Sequence, residues 1–189
     1  MRVLIAEDET IIRLDLRQLL ERAGHEVVGE ARDGQEAVTL AASLAPELIL
    51  MDVKMPRQGG IEAAREITAA RPVPIVMLTA YSQEDLVRRA SEAGAYGYLV
   101  KPFRESDLLP AIATARARFD ELQALRSEAA SLAEALADRK ALERAKGLLM
   151  ERDGLTEKEA FARIRKASQI SGRPMRIIAD ALIATYESP

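Results

Sequence analysis

The sequence contains no cysteine, a single histidine, and only three phenylalanines and four tyrosines. Without a thiol there is neither a disulfide framework nor a thiolate metal site, which fits a reducing, cytoplasmic setting. Glycine and proline are few, at 10 and 8 residues, so the biases of fibrous or disordered chains are missing. No apolar run reaches the ~20 residues that a membrane-spanning helix needs, and no membrane association is expected. The first residues, MRVLIAEDE, place four apolar residues before three acids, too short a stretch for a signal-peptide core. What is present is a hydrophobic share of 48% beside a charged share of 30%, the balance of a globular protein that buries a core. A length of 189 residues allows one large domain or two small ones. The net charge of −3 is uneven: residues 1–137 hold 16 Lys/Arg against 22 Asp/Glu, whereas residues 138–189 hold 11 against 8. A basic tail on an acidic body is compatible with a polyanionic partner and equally with a solvated charged surface.

Up to about residue 118, short aliphatic runs alternate with amphipathic stretches. The runs are residues 2–6, 26–31, 47–52, 74–79 and 96–100. Stripes such as Ile12, Leu16, Leu19, Leu20 and Ala37, Leu40, Ala41, Leu44 lie between them, closed by Gly or Pro. This pattern predicts a (βα)₅ α/β fold with a parallel sheet covered on both faces, whose working residues stand at the carboxyl ends of the strands.

From Leu108 to Leu136 apolar residues recur at 108, 112, 115, 119 and 122, then at 125, 129, 132 and 136. The 4-3-4-3 spacing slips once, near Leu122 to Leu125, and resumes. Such a seam seeks a partner helix or packs onto its own tail. The remaining residues read as three short helices, about 139–152, 157–170 and 175–186. Asp153-Gly154 ends the first, Thr156 to Glu159 form a capping box for the second, and Pro174 suits the first turn of the third. Leu142, Ala145 and Leu149 are expected to face Phe161, Ile164 and Ala167, with Ile178, Ala181 and Leu182 closing the core.

Glu7 and Asp8 follow the first strand, Asp52 ends the third, Thr79 ends the fourth and Lys101 follows the fifth. In the predicted fold all five converge on one sheet edge. Clustered carboxylates repel one another unless a cation lies between them, and hard oxygen ligands with one open side suit Mg²⁺. Lys101 and Thr79 add a fixed positive charge and a hydroxyl donor, an arrangement suited to a small, highly charged group such as a phosphoryl. Asp52 is the natural nucleophile.

The stretches AEDE, LMDVKMP, LTA and YLVKPF resemble, in order and spacing, the receiver-domain motifs of two-component response regulators, which are flavodoxin-like. The resemblance implies that Asp52 accepts phosphate from a sensor histidine kinase and that Glu7, Asp8, Asp52 and the Lys54 backbone carbonyl hold Mg²⁺. It also implies that Thr79 and Lys101 contact the phosphoryl group, that Tyr98 is an aromatic switch, and that the Lys101–Pro102 bond is cis. Glu7 stands where Asp is more usual. An aspartyl-phosphate phosphatase would want a second Asp two residues after the nucleophile, and Lys54 stands there; the chain is read as a non-enzyme. His25 is read as a surface turn residue.

The tail gives little support to DNA binding, because its second helix starts EKEA, acidic where a phosphate backbone would pass. Arg139, Lys140, Arg144, Lys146, Arg163, Arg165, Lys166, Arg173 and Arg176 fall largely off the apolar stripes. With Phe161 assigned to the core, no stacking platform is left. A basic helical surface of this kind suits a folded stem-loop or a protein partner. AKGLLMERDGLTEKEAFARIRKAS resembles the signature of the ANTAR domain, the three-helix RNA-binding module of transcription antiterminators, and the whole arrangement is similar to the phosphorylation-dependent antitermination regulators of actinobacteria. The resemblance implies residues 1–118 as receiver, 119–137 as helical coiled-coil linker and 138–189 as ANTAR domain, binding RNA hairpins as a homodimer formed on phosphorylation. Within AKGLLMERDGLTEKEA, Lys146 is the residue most expected to face RNA, and Arg144, Arg163, Arg165, Lys166, Arg173 and Arg176 are the further expected RNA contacts.

Overall fold

The computed structural model describes residues 1–80 and 93–187. The chain divides into two compact units, Met1–Gln123 and Ala124–Pro189.

In the first unit, β1 (Arg2–Ala6), β2 (Glu26–Ala31), β3 (Leu48–Asp52), β4 (Ile75–Thr79) and β5 (Gly97–Val100) form one sheet in the order β2-β1-β3-β4-β5. All four pairings are parallel. Every residue of β3 and β4 is buried, the signature of strands covered on both faces. Alternation then splits the core. Leu4, Ile49, Met51, Ile75 and Met77 face one cluster with Ala37 and Ala41 of α2 (Gly34–Leu44) and Ile61, Ala64 and Ile67 of α3 (Gly60–Ala70). Val3, Ile5, Leu48, Leu50, Val76 and Leu78 face the other, with Leu16, Leu19 and Leu20 of α1 (Thr10–Arg22) and Leu108, Ile112 and Ala115 of α4 (Glu105–Asp153). This is the flavodoxin-like arrangement, with the strand order reversing beside β1 so that the carboxyl ends of β1 and β3 flank a crevice. The helix expected between β4 and β5 falls on residues 81–92, outside those described.

The second unit corrects the sequence reading in two places. Helix α4 runs 49 residues without a break, so the separate helix expected from residue 139 is its continuation. No residue between Leu136 and Lys140 is a Gly or Pro, and Asp138, which could have capped a new helix, instead accepts from Arg176 Nη1 at 3.1 Å. The other two helices are α5 (Glu157–Ser171) and α6 (Met175–Glu187). The capping box at the start of α5 is formed: Glu159 N–H donates to Thr156 Oγ1 at 3.4 Å, and Thr156 N–H donates to Glu159 Oε2 at 2.9 Å. Gly172 closes the helix with φ of 67°, a left-handed cap that favours glycine.

The core of this unit joins Ala141, Ala145 and Leu149 to Ala160, Ile164 and Ala179. Phe161 and Ala181, both expected inside, are exposed. On α5 the buried stripe is 160, 164 and, partly, 167, the i, i+4, i+7 face; Phe161 lies about 100° round from it.

Candidate functional site

Five of the first unit's expected site residues stand at the carboxyl edge of the sheet. Glu7 and Asp8 follow β1, Asp52 ends β3, Thr79 ends β4 and Lys101 follows β5. Side-chain carboxylate oxygens of Glu7, Asp8 and Asp52 lie within 4.8 Å of one another. Lys101 Nζ lies 2.6 Å from Glu7 Oε2 and 3.2 Å from Asp52 Oδ2. A cavity of about 190 Å³ opens between Asp8, Asp52, Lys54, Thr79 and Lys101. Glu7, Asp52 and Thr79 are buried, while Asp8 and Lys54 are exposed. Tyr98 is 52% exposed on β5, and the Lys101–Pro102 bond is cis. The main chain also couples these ends: Lys101 N–H donates to Thr79 O at 2.7 Å, and Val53 N–H donates to Leu78 O at 2.9 Å.

The electrostatics follow from crowding three acids around one ammonium. Burial pushes Glu7 above the ordinary carboxylate range; the bond from Lys101 opposes this and the charge of Asp52 adds to it. Asp52 is likewise raised, by burial first, against the pull of Lys101. Burial lowers Lys101, but its bond to Glu7 and the fields of Asp52 and Glu7 outweigh this and leave it raised. Acids held above their ordinary values by desolvation are the mark of a pocket short of positive charge. The donor set is all oxygen, partly buried and open on one side, which fits a hard divalent cation.

Arg13 was not singled out by the sequence reading. It is 6% exposed and donates from Nη1 to the Glu7 carbonyl at 2.6 Å and to the Asp8 carbonyl at 3.3 Å. Its Nε lies 3.1 Å from Glu30 Oε2, and Glu30 also meets Arg17 at 2.6 Å. A buried guanidinium thus holds the turn that carries both acids. The only signal in the sequence is a charge placed three residues before Leu16, on the face that α1 buries. Gly60 is the second such residue. A Cβ there would lie 1.8 Å from the Asp52 carbonyl oxygen, and its N–H donates to Val53 O at 3.0 Å, so the first turn of α3 sits directly against the Asp52 backbone. His25 closes the turn after α1, its N–H donating to Leu20 O at 2.9 Å, and is half-buried, with its pKa lowered by burial first.

In the second unit the cations divide. Lys146, expected to face outward, is 8% exposed and lies 2.9 Å from Glu143 Oε1 and 2.7 Å from Glu157 Oε1. Both bonds raise its pKa. The correction has a geometric cause: Lys146 follows Ala145 on the turn of α4 that packs against α5, and its ammonium closes that seam instead of meeting solvent. Arg163 pairs with Asp153, and Arg176 pairs with Asp138 and Asp180. Arg144 is exposed. Arg139, Lys140, Lys158, Arg165, Lys166 and Arg173 are also exposed, and no salt bridge is made by these six among the described residues.

Residues 3–113 match the response regulator receiver domain and residues 130–183 match the ANTAR domain. The chain is 54% identical over 188 residues to the transcriptional regulatory protein PdtaR of Mycobacterium tuberculosis, a comparison that covers 100% of this chain and 92% of that protein. It is 39% identical over 112 residues to the chemotaxis protein CheY of Thermotoga maritima, covering 59% of this chain and 93% of CheY. Among solved structures, a two-component response regulator of the LuxR family from Aurantimonas superposes with a TM-score of 0.59 at 36% identity, over 61% of this chain and 84% of that one.

Proposed function

Because the chain belongs to the response regulators, with a receiver domain followed by an ANTAR domain, we propose that phosphorylation of Asp52 by a sensor histidine kinase controls binding to RNA hairpins and thereby transcription antitermination. The observation that carries the first half is the convergence of Glu7, Asp8, Asp52 and Lys101 in one pocket at the sheet edge. Glu7, Asp8, Asp52 and the Lys54 carbonyl would hold Mg²⁺, which supplies charge neutralisation for the transferring phosphoryl group. An Asp52 carboxylate oxygen attacks the phosphorus of a phosphohistidine, forming a P–O bond as the P–N bond breaks. Lys101, 3.2 Å from Asp52, stabilises the added charge, and the Thr79 hydroxyl donates to a phosphoryl oxygen.

The product carries about −2 charge and three acceptor oxygens where a single charge stood. Thr79 turns toward it, and Tyr98, half exposed on β5, moves into the space released. The readout is a homodimer along α4. Leu125, Leu132 and Leu136 are 55%, 66% and 54% exposed, so the seam in the linker at residues 119–137 is not covered by the chain's own tail, and a second copy buries it as a coiled coil. Two RNA-binding units joined this way bind a pair of hairpins with the gain of effective concentration. The exposed cations of α4 and α5, with Arg173 in the loop between α5 and α6, meet the phosphates. No described helix is long and apolar enough to cross a membrane.

A salt titration separates RNA binding from docking of a protein on the same surface. Phosphorylated chain is expected to bind structured RNA hairpins with an affinity that falls steeply as salt rises; no detectable hairpin binding in the phosphorylated state contradicts the proposal.

The metal assignment has its own check. In the metal-free chain Glu7 and Asp52 have raised pKa values, so the folded state binds more protons than the unfolded one above the ordinary carboxylate range. Stability is therefore highest below that range and declines as pH rises through it toward the raised values. Mg²⁺ reverses the decline by binding only the folded, deprotonated site. At 100 times its Kd it stabilises by about 2.7 kcal/mol. The expected result is a melting temperature raised by Mg²⁺ at pH 7 and almost unchanged by it at pH 4; an equal rise at both contradicts carboxylate ligation.

A further inference from the structure

Phe161 stands on the outer face of α5, 37% exposed. Among the described residues the one ring contact is between Tyr96 and Phe119, so the Phe161 ring has no aromatic neighbour. Its neighbours along the helix are fixed by spacing: Lys158 three residues before and Arg165 four residues after share its face. Both are exposed and make no salt bridge among the described residues. The acid that could spoil this stripe, Glu157, is occupied 2.7 Å from Lys146 Nζ. An aromatic plane between two unpaired cations, in a unit whose net charge is positive, has a specific complement.

We infer that Phe161 is a stacking platform for an unpaired nucleobase, with Lys158 and Arg165 meeting the phosphates on either side of it. This rests on the RNA-binding reading and refines it. A base inside a stem has both faces covered by its neighbours, so only a base splayed from a loop or bulge can offer its face to a ring. The stripe therefore reads the loop of a hairpin, while the remaining cations follow the stem backbone. Lys146 acts in the same site as a positioning residue: it ties α5 to α4 and holds the Glu157 carboxylate 2.7 Å from its ammonium, which partly offsets that charge beside the stripe.

The test uses the full-length phosphorylated chain and a hairpin selected by it from a library with a fixed stem and a randomised loop. Stacking on an aromatic side chain is worth about 10- to 100-fold in affinity per base. Phe161→Ala is expected to lose that factor, Phe161→Tyr to bind within about threefold of the parent, and Phe161→Leu, which keeps apolar bulk without a ring face, to fall with the alanine variant. Because stacking involves no counterion, the salt dependence of Phe161→Ala stays that of the parent, whereas Arg165→Ala flattens it by about one phosphate. An abasic nucleotide at one loop position is expected to weaken the parent by the same factor and to leave Phe161→Ala unaffected. Three results overturn the inference: Phe161→Leu binding like the parent; losses from Phe161→Ala and every abasic position that simply multiply; or a Phe161→Ala protein that, free of RNA, has changed its monomer–dimer mass, which would make the ring part of a contact between copies. Selection of no hairpin at all fails the RNA-binding reading itself.

Discussion

Asp52→Asn takes up no phosphoryl group, from a kinase or from a small-molecule donor, where the parent takes up as much as one per chain. The amide keeps the size of the carboxylate and lacks the nucleophilic oxygen charge. Its effect on stability has the opposite sign to that of most buried substitutions. Asp52 ionises against burial and against neighbouring acids, and its removal leaves Lys101 paired with Glu7 at 2.6 Å. The metal-free variant is therefore expected to melt at or above the parent temperature and to lose the Mg²⁺-dependent rise. Mass spectrometry of the intact protein reads the first effect and thermal denaturation the second. Retained phosphate at one per chain, or a variant that does not fold, contradicts the assignment.

Gly60→Ala is expected to be among the most damaging single substitutions in the first unit, for a reason invisible in any list of polar site residues. The added Cβ would lie 1.8 Å from the Asp52 carbonyl oxygen, and real Cβ contacts essentially never fall under 3.0 Å. The atom met is backbone, so no side chain can swing away. Either α3 retreats, opening the cluster that holds Ile61 and Ala64, or Asp52 is displaced from Lys101 and the acids. Overpacking of this kind costs about 3 kcal/mol or more, which lowers melting by roughly 10 °C. Phosphoryl uptake is expected to fall with it. Gly24 is the control: its surroundings hold nothing within 4 Å, but its φ is +79°, so alanine there strains one turn and leaves phosphoryl uptake intact. Parent-like melting and uptake in Gly60→Ala contradict the close approach.

The contrast between these two residues marks what was legible in the sequence. Asp52 announces itself, because an acid closing an unbroken apolar run, with other acids and a lysine closing similar runs, has a place in a parallel sheet before any coordinates exist. The capping box at Thr156 and the two-faced strands are legible for the same reason: each is a local rule with one geometric solution. Gly60, Arg13 and Lys146 depend on contacts between elements. Arg13 is a charge on an apolar face, and nothing local tells whether such a charge reaches solvent or, as here, main-chain carbonyls. Lys146 sits beside a buried alanine, and its fate hangs on the acid that α5 brings opposite. Phe161 turned on a rotation of about 100° per residue: its stripe with Ile164 and Ala167 differs by one position from the true stripe of Ala160 and Ile164, and that one position moves the only aromatic of α5 from the core to the surface. No Gly or Pro stands near residue 138, where a break was expected, and the helix runs on; Gly154, with φ of 68°, stands just past the true end of α4.

The central claim is that a charge added at Asp52 governs how tightly the second unit holds RNA. Its most direct test is the affinity of the full chain for a structured RNA hairpin pair, measured with and without phosphoryl donor, on the parent and on Asp52→Asn at one fixed salt concentration. The account predicts that donor tightens binding by the parent on the order of 10²-fold, the low end of what linking two sites can give, and leaves Asp52→Asn unchanged. Equal affinity of the parent in both states, or tightening by donor in Asp52→Asn, would contradict it.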